Sequence, residues 1–104
     1  MQPVPLPQFI LFIEPARPEM PVSPTDDEIR IVGEHFKYLK AHFDSGEVFL
    51  VGRTQEAPFV GIAIFEAVDA AAAREFAEAD PAIKAGVFRL KSVQSYQVAL
   101  MRTE

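Results

Sequence analysis

The chain contains no cysteine, and its basic residues are fewer than its acidic ones. Without cysteine it can form no disulfide, no thiolate nucleophile and no Cys-ligated zinc or iron–sulfur site. Ten Lys and Arg stand against 15 Asp and Glu, and they form no basic run that would neutralise phosphates. The formal net charge of −5 therefore argues against a nucleic-acid partner and against an anionic membrane surface.

Long hydrophobic runs are also missing. The first apolar run covers only residues 9–13, it has no basic segment before it, and Pro3, Pro5 and Pro7 precede it. A segment of this kind is neither a signal peptide nor a membrane span. We therefore expect a cytoplasmic protein.

The length and composition are those of one globular domain. The chain has 104 residues, of which 49% are apolar and 24% are charged. We take residues 1–104 as a single domain that begins with a Pro-rich N-terminal segment, residues 1–8.

The first third of the chain predicts a strand, a long loop and a helix. Residues 9–13 are wholly apolar and indicate a central strand that is buried on both faces. Residues 14–24 contain four prolines and are longer than a typical connection. This loop is either a stiffened surface crossover or a lid.

A capping box predicts the start of the first helix, because Thr25 is followed three residues later by Glu28. After it, apolar residues recur at spacings of three and four and form one stripe of an amphipathic helix. These residues are Ile29, Val32, Phe36, Leu39 and Phe43. Ser45 and Gly46 end the helix.

The remaining pattern predicts strands over 47–53 and 59–65, a helix over 70–79 and a last strand over 87–95. The order β-α-β-β-α-β is the ferredoxin-like arrangement of an α+β protein, in which two helices cover one face of an antiparallel sheet. Two strands are apolar on both faces, so the second face needs a cover. A second copy of the chain, packed sheet to sheet as a homodimer, would form a dimeric α+β barrel.

Residues 80–88 connect the second helix to the last strand. Asp80 before Pro81 is a strong helix-start signal, because the carboxylate caps free N–H groups and Pro suits the first helical position. Gly86 would close this short turn in a left-handed conformation. A cap alone is enough to explain Asp80.

Two histidines are present, and both lie on the first helix. His35 lies at the edge of the apolar stripe, whereas His42 lies further toward solvent. A half-desolvated imidazole that is oriented by a carboxylate is a common general base. The alternative is that His35 only lines the boundary between helix and sheet.

Two arginines are candidate anion ligands, since a guanidinium can hold a carboxylate or phenolate by two parallel hydrogen bonds. Arg17 lies in the Pro-rich loop, and Arg53 lies at the end of the second strand. Each is otherwise a solvated surface residue. The spacing of the two histidines is not that of metal ligands, so we expect no metal.

The segment Asp-Pro-Ala-Ile-Lys-Ala-Gly-Val-Phe at 80–88 resembles the signature of the YCII-related family of small proteins. The segment Glu-His-Phe-Lys-Tyr-Leu at 34–39, with Gly46 beyond it, resembles the first helix of that family. The resemblance extends over nearly the whole chain after residue 8. It implies a ferredoxin-like dimer and an active-site pair formed by His35 and Asp80.

The resemblance further implies a small cofactor-free enzyme, a lyase or isomerase with dehydrochlorinase-like proton-transfer chemistry. Its substrate would be a small cyclic or aromatic organic anion. His35 would move the proton, Asp80 would orient and stabilise it, and Arg17 or Arg53 would bind the anion. The alternative is a non-catalytic dimeric module that binds a small molecule or supports another protein.

Overall fold

The computed structural model describes residues 6–102, and it confirms the predicted order of strands and helices. Positions 1–5 of the expected N-terminal segment lie outside the described residues. No helix within residues 6–102 is long and apolar enough to cross a membrane. The elements are β1 (Gln8–Pro15), α1 (Asp26–Asp44), β2 (Val48–Arg53), β3 (Gly61–Glu66), α2 (Ala70–Glu78), α3 (Pro81–Lys84) and β4 (Phe88–Tyr96).

The four strands form one antiparallel sheet in the order β2-β3-β1-β4. The wholly apolar β1 lies between β3 and β4, which agrees with the central position that its sequence predicts. This order and the two helical crossovers make the ferredoxin-like α+β fold. Dimeric α+β barrels are built from this arrangement.

The hydrophobic core lies between the helices and one face of the sheet. Phe65 is almost fully buried, and the alanines Ala73 and Ala77 bring α2 close to the strands. Alternate residues of the strands supply the rest of this layer. The buried cluster consists of Phe9, Leu11, Ile13, Val48, Ala63, Phe65, Ala73 and Ala77.

The other face of the sheet is apolar at its centre. Ile62 and Ile64 alternate with Ala63 along β3, so their side chains lie on the face away from the helices. In register with them, Ile10 and Phe12 of β1 share this face. Within residues 6–102, no helix covers it.

Helix α1 begins as its capping box predicts. The Thr25 hydroxyl accepts from the Glu28 backbone N–H at 3.1 Å, and the Glu28 carboxylate accepts from the Thr25 N–H at 2.9 Å. The orientation of the helix differs from the one that the apolar stripe suggests. Ile31 and Leu39 are its buried residues, while Phe36, at the centre of the stripe, is 60% exposed. The flank that carries His35 therefore turns inward.

The short helix α3 forms as its sequence predicts. Asp80 caps it, with a carboxylate oxygen 2.8 Å from the Ala82 backbone nitrogen, and Pro81 occupies the first position. Gly86 has a φ of 76°, the left-handed conformation that glycine adopts most readily. The turn then directs the chain into β4.

Candidate active site

A cavity of about 530 Å³ lies between α1, the sheet and the Pro-rich loop. Its walls are mostly apolar, with Leu11 and Ala63 contributed by the sheet and Val32 by α1. Four residues with polar or charged side chains also line it: Glu14, His35, Arg53 and Asp80. An apolar cleft with few polar groups is the usual form of a small-molecule site.

His35 and Asp80 meet at the inner end of this cavity, although 45 positions separate them in the chain. The His35 Nδ1 lies 2.5 Å from the Asp80 Oδ2, and the two side chains are only 13% and 7% exposed. Asp80 is the buried charged residue of the described chain. Its other oxygen, Oδ1, accepts from the Ala82 N–H. Asp80 therefore caps α3 and holds His35 at the same time.

This contact sets the tautomer of His35. An ionised carboxylate only accepts hydrogen bonds, so the proton of a neutral imidazole lies on Nδ1 and Nε2 carries the lone pair. Within residues 6–102, Nε2 makes no hydrogen bond, and no buried side-chain nitrogen or oxygen lacks a partner. Nε2 is thus accessible, and because His35 lines the cavity, a ligand bound there can offer it a proton.

Two aromatic residues fix the surroundings of the pair. The ring of Phe88 meets that of His35 edge-on, with centroids 4.9 Å apart. One helical turn after His35, Tyr38 donates its hydroxyl hydrogen to the Phe76 carbonyl at 2.8 Å and so ties α1 to α2. Burial, assisted by the charges of Asp80 and Glu47, raises the pKa of Tyr38 to about 12. Tyr38 is therefore a structural donor and stays protonated at neutral pH.

Arg53 lies at the cavity, as an anion ligand must. Arg53 pairs with Gly61 in the sheet register, and Gly61 pairs with Ile13 of the core, so Arg53 emerges on the helix side. Within the described residues it forms no ion pair. Gly61 allows Ile13 to pack closely against this strand, because a Cβ there would lie 3.0 Å from the Cγ1 of Ile13.

Arg17 lies in a different setting. Its guanidinium donates to Glu28 at 2.6 and 3.1 Å and to the Ser23 carbonyl at 2.7 Å. It is absent from the lining of the cavity that holds His35. The hydrogen bond to Glu28, together with the charges of Glu28 and Glu19, raises the pKa of Arg17, although desolvation acts in the opposite direction. The structure thus brings His35, Asp80 and Arg53 to one cavity, while the role of Arg17 as an anion ligand stays a prediction.

His42 has a carboxylate partner of its own, which the sequence interpretation did not foresee. Its Nδ1 lies 3.1 Å from the Glu47 Oε1, and its ring packs edge-on against Phe76. Bonds from Ser45 and His42 lower the pKa of Glu47. Among residues 6–102, no group of three His, Asp or Glu side chains is arranged to hold a metal ion.

The sequence did not single out Phe88 or Met20 as site residues, and it indicated Glu28 only as part of the capping box. Phe88 belongs to the segment 80–88 that resembles the family signature, so the sequence did contain a signal for it. Met20 lines the cavity from within the Pro-rich loop. Glu28 accepts a hydrogen bond from Arg17 in addition to closing the capping box. No local pattern relates a loop arginine to a helix glutamate 11 positions away.

Comparison with known proteins identifies the family of this chain. The family model of the YCII-related domain matches residues 9–97. Among curated proteins, no sequence shows significant similarity to this chain.

Among solved structures, the fold is similar to that of 5-chloro-2-hydroxyhydroquinone dehydrochlorinase (TftG) from Burkholderia phenoliruptrix, in complex with 2,5-dihydroxybenzoquinone. The TM-score is 0.68, and the match covers 86% of this chain and 93% of that one. At 21% sequence identity, this likeness supports the fold and nothing finer. Because the family model covers every strand and helix around the cavity but the first residue of β1, the chain belongs to the YCII-related domain family.

Proposed function

We propose that this protein is a small enzyme, a lyase or isomerase, that moves a proton on a small cyclic or aromatic organic anion. His35 is the base, Asp80 orients it, and Arg53 binds the anionic group of the substrate. The reaction needs no cofactor in this scheme.

The observation that carries the proposal is the contact between Asp80 and His35 at the wall of the cavity. A helix cap requires one carboxylate oxygen, and Asp80 uses Oδ1 for that purpose. The second oxygen holds Nδ1 of His35 and leaves Nε2 free. A carboxylate that fixes an imidazole in this way supports its action as a general base and stabilises the imidazolium that forms.

The proposed step begins when Nε2 of His35 removes a proton from an sp³ ring carbon next to a carbonyl group, in a cyclic ketone or in the keto tautomer of a phenol. The electron pair of the broken C–H bond moves into the ring system and gives an enolate or dienolate. In an isomerase the imidazolium returns the proton to another carbon. In a lyase the electron pair expels a leaving group such as chloride, and the imidazolium later loses its proton to water.

The apolar walls, and the one arginine among the described residues that line the cavity, favour an aromatic or cyclic anion as the ligand. A cavity of about 530 Å³ accommodates a substituted six-membered ring, since ligand pockets commonly measure roughly 300–1,000 Å³. The guanidinium of Arg53 can bind a carboxylate or phenolate by two parallel bonds. The quinone bound by the structurally similar dehydrochlorinase belongs to this chemical class.

We propose in addition that the protein works as a homodimer. On the sheet face that no helix covers within residues 6–102, Phe12, Ile62 and Ile64 are partly exposed and lie beside Ile10, which is already buried. Burial of such a face against a second copy about a two-fold axis removes it from water.

The rival function is a non-catalytic dimeric module that binds a small molecule. This module would use the same cavity and the same anion site at Arg53. The difference is that Nε2 of His35 would not accept a proton from the ligand. Binding alone therefore cannot separate the two functions, and the test must follow a reaction.

The test is turnover of 5-chloro-2-hydroxyhydroquinone, followed by release of chloride, together with binding of 2,5-dihydroxybenzoquinone by calorimetry. If the enzyme proposal holds, wild-type protein releases chloride from this compound, or exchanges a ring proton of the bound quinone with deuterated water. His35→Gln then binds the quinone but does neither. If His35→Gln and wild type behave alike in both reactions, the binding module is the better account.

Arg53→Gln tests the anion site within the same experiment. Loss of one charged hydrogen-bonding partner costs about 1.5–3 kcal/mol, so affinity for the quinone should fall roughly tenfold or more. Arg74→Gln is the matched control, because Arg74 pairs with Glu78 on the outer surface of α2 and lies away from the cavity.

A further inference from the structure

Three ring side chains lie on the face of α1 that meets the end of α2 and the start of α3. His35, Tyr38 and His42 follow one another at spacings of three and four residues, so they share one face of the helix. His35 contacts Asp80, whereas Tyr38 and His42 both contact Phe76, four residues before Asp80. The His35–Asp80 pair is therefore the first in a row of contacts between two segments of the chain.

Two hydrogen bonds join α1 to the segment 70–84. Among the described residues these are the contact of His35 with Asp80 and the bond from the Tyr38 hydroxyl to the Phe76 carbonyl, at 2.8 Å. The rings of Tyr38 and Phe76 also stack, with centroids 5.4 Å apart. Tyr38 is not part of the cavity lining. It can therefore affect a ligand only through the positions of other residues.

The Phe76 carbonyl lies at the end of α2, where a helix leaves carbonyls without partners. In an uninterrupted helix the Asp80 N–H would donate to it, but here that N–H donates to the Ala77 carbonyl at 3.4 Å. The Tyr38 hydroxyl supplies the missing donor. Tyr38 thus holds the backbone of α2 just before the chain turns into Asp80.

The contact between His35 and Asp80 depends on this spacing. The bond to the Ala82 N–H fixes the Asp80 carboxylate relative to α3, whereas α1 fixes the imidazole. Tyr38 follows His35 by three residues, which is about 4.5 Å along the helix axis. Because a hydrogen bond weakens once its heavy atoms move more than about 3.2 Å apart, a small outward movement of α1 would open the pair.

We propose that Tyr38 is a positioning residue, which holds α1 against α2 at the spacing that lets Nδ1 of His35 reach Asp80. This inference rests on the proposed function, because it assigns to a residue outside the cavity the task of keeping the base in place. Tyr38 acts through His35 and does not touch the substrate.

Two substitutions remove the contacts of Tyr38 in turn. Tyr38→Phe keeps the ring against Phe76 and loses the hydrogen bond, whereas Tyr38→Leu loses both. The net contribution of one hydrogen bond corresponds to a factor of roughly two to ten in an equilibrium constant. The His35–Asp80 contact should therefore open more often by about this factor in Tyr38→Phe, and more often again in Tyr38→Leu.

The first measurement is the rate at which the Nδ1 proton of His35 exchanges with water, followed by ¹H–¹⁵N NMR. The rate should rise roughly two- to tenfold in Tyr38→Phe and further in Tyr38→Leu. Asp69→Ala is the matched control, because it loses the exposed cap of the same helix α2, at the end remote from Asp80. It should lower stability by a similar amount and leave the Nδ1 exchange rate unchanged.

The second measurement separates positioning from binding. The affinity for 2,5-dihydroxybenzoquinone should be the same in wild type and Tyr38→Phe, since Tyr38 does not line the cavity. The rate at which the bound quinone exchanges its ring proton with deuterated water should fall by roughly the factor found for Nδ1 exchange. A loss of quinone affinity at an unchanged exchange rate would overturn the positioning role.

Unchanged Nδ1 exchange in both Tyr38 variants, with the activity of wild type retained, would overturn the inference and leave the proposed function standing. Equal acceleration in Asp69→Ala would also overturn it, because the exchange would then follow overall stability. A wild type that moves no proton on the quinone would instead contradict the proposed function, and the inference would be withdrawn with it. Urea unfolding of each variant establishes that the compared proteins are folded.

Discussion

Glu28 is joined to Arg17 by two hydrogen bonds of 2.6 and 3.1 Å while it also closes the capping box of α1. One carboxylate therefore anchors both the start of the helix that carries His35 and the loop over the cavity. The bond from Arg17, followed by the bond from the Thr25 N–H, lowers the pKa of Glu28 to about 2.

The first prediction follows from that lowered pKa. Ionised Glu28 is more stable in the native state than in the unfolded state. Its contribution to the free energy of unfolding is therefore fully present above the ordinary pKa of 4.5. It is lost as the pH falls from 4.5 toward 2. Denaturant unfolding between pH 6 and roughly pH 2 should show a stability loss that is smaller in Glu28→Gln, since glutamine keeps the capping box but not the charge.

Glu56→Gln provides the control for this titration, because Glu56 lies in the exposed β2–β3 connection and forms no ion pair with the described residues. Its acid unfolding profile should match that of wild type. An unchanged profile for Glu28→Gln would contradict the account of the Arg17–Glu28 pair.

The second prediction concerns the uncovered face of the sheet. Light scattering of wild-type protein at micromolar concentration should give a mass close to twice that of the chain. Ile64→Asp should dissociate or unfold the protein, because an unpaired carboxylate buried in an interface costs several kcal/mol. Val68→Asp is the matched control, since Val68 is exposed outside the sheet and should leave the dimer intact. A stable wild-type monomer would rule out the barrel.

The third prediction uses the two caps of the second half of the chain. Asp69 caps α2 at 2.8 Å from the Ala72 nitrogen and is exposed, whereas Asp80 caps α3 and also holds His35. Asp69→Ala should lose about 1 kcal/mol of unfolding free energy, the usual value of a cap. Asp80→Ala should lose about 1.5–3 kcal/mol more, because a buried bond to His35 is lost as well. Equal losses in urea unfolding would mean that Asp80 is only a cap.

The sequence predicted the local structure well because its signals are local. The capping box at Thr25, the Asp80–Pro81 start of α3 and the left-handed Gly86 all form as expected. Each is decided by bonds within a few residues, so no knowledge of the rest of the fold was needed. The wholly apolar run of β1 likewise indicated a central strand, and β1 lies between β3 and β4.

The rotation of α1 was predicted wrongly for a physical reason. An apolar stripe normally faces a filled core, but part of this stripe faces a cavity and solvent, and Phe36 is exposed. Periodicity records which residues are apolar and does not record whether the space beside them is filled. His35 therefore lies further inside than the stripe indicated.

The sequence pattern could not predict the long-range contacts of the site. Only the family resemblance joined His35 to Asp80, since the residues between them span two strands and a helix. Arg53 reached the cavity because of the β2 register, which shifts between Val48 and Leu50. Such a shift changes the face to which a side chain points and has no clear signature in this strand.

The most direct test of the His35–Asp80 account is the tautomer of His35, measured by long-range ¹H–¹⁵N NMR at about pH 9, where an ordinary histidine is neutral. Wild type should show a proton on Nδ1 and an unprotonated Nε2. Asp80→Asn should show the reverse, because its amide keeps the cap through oxygen and donates to Nδ1, which moves the ring proton to Nε2. His42, bonded to Glu47, should be unaffected by that substitution. A wild-type His35 with its proton on Nε2, or one that does not respond to Asp80→Asn, would contradict the account.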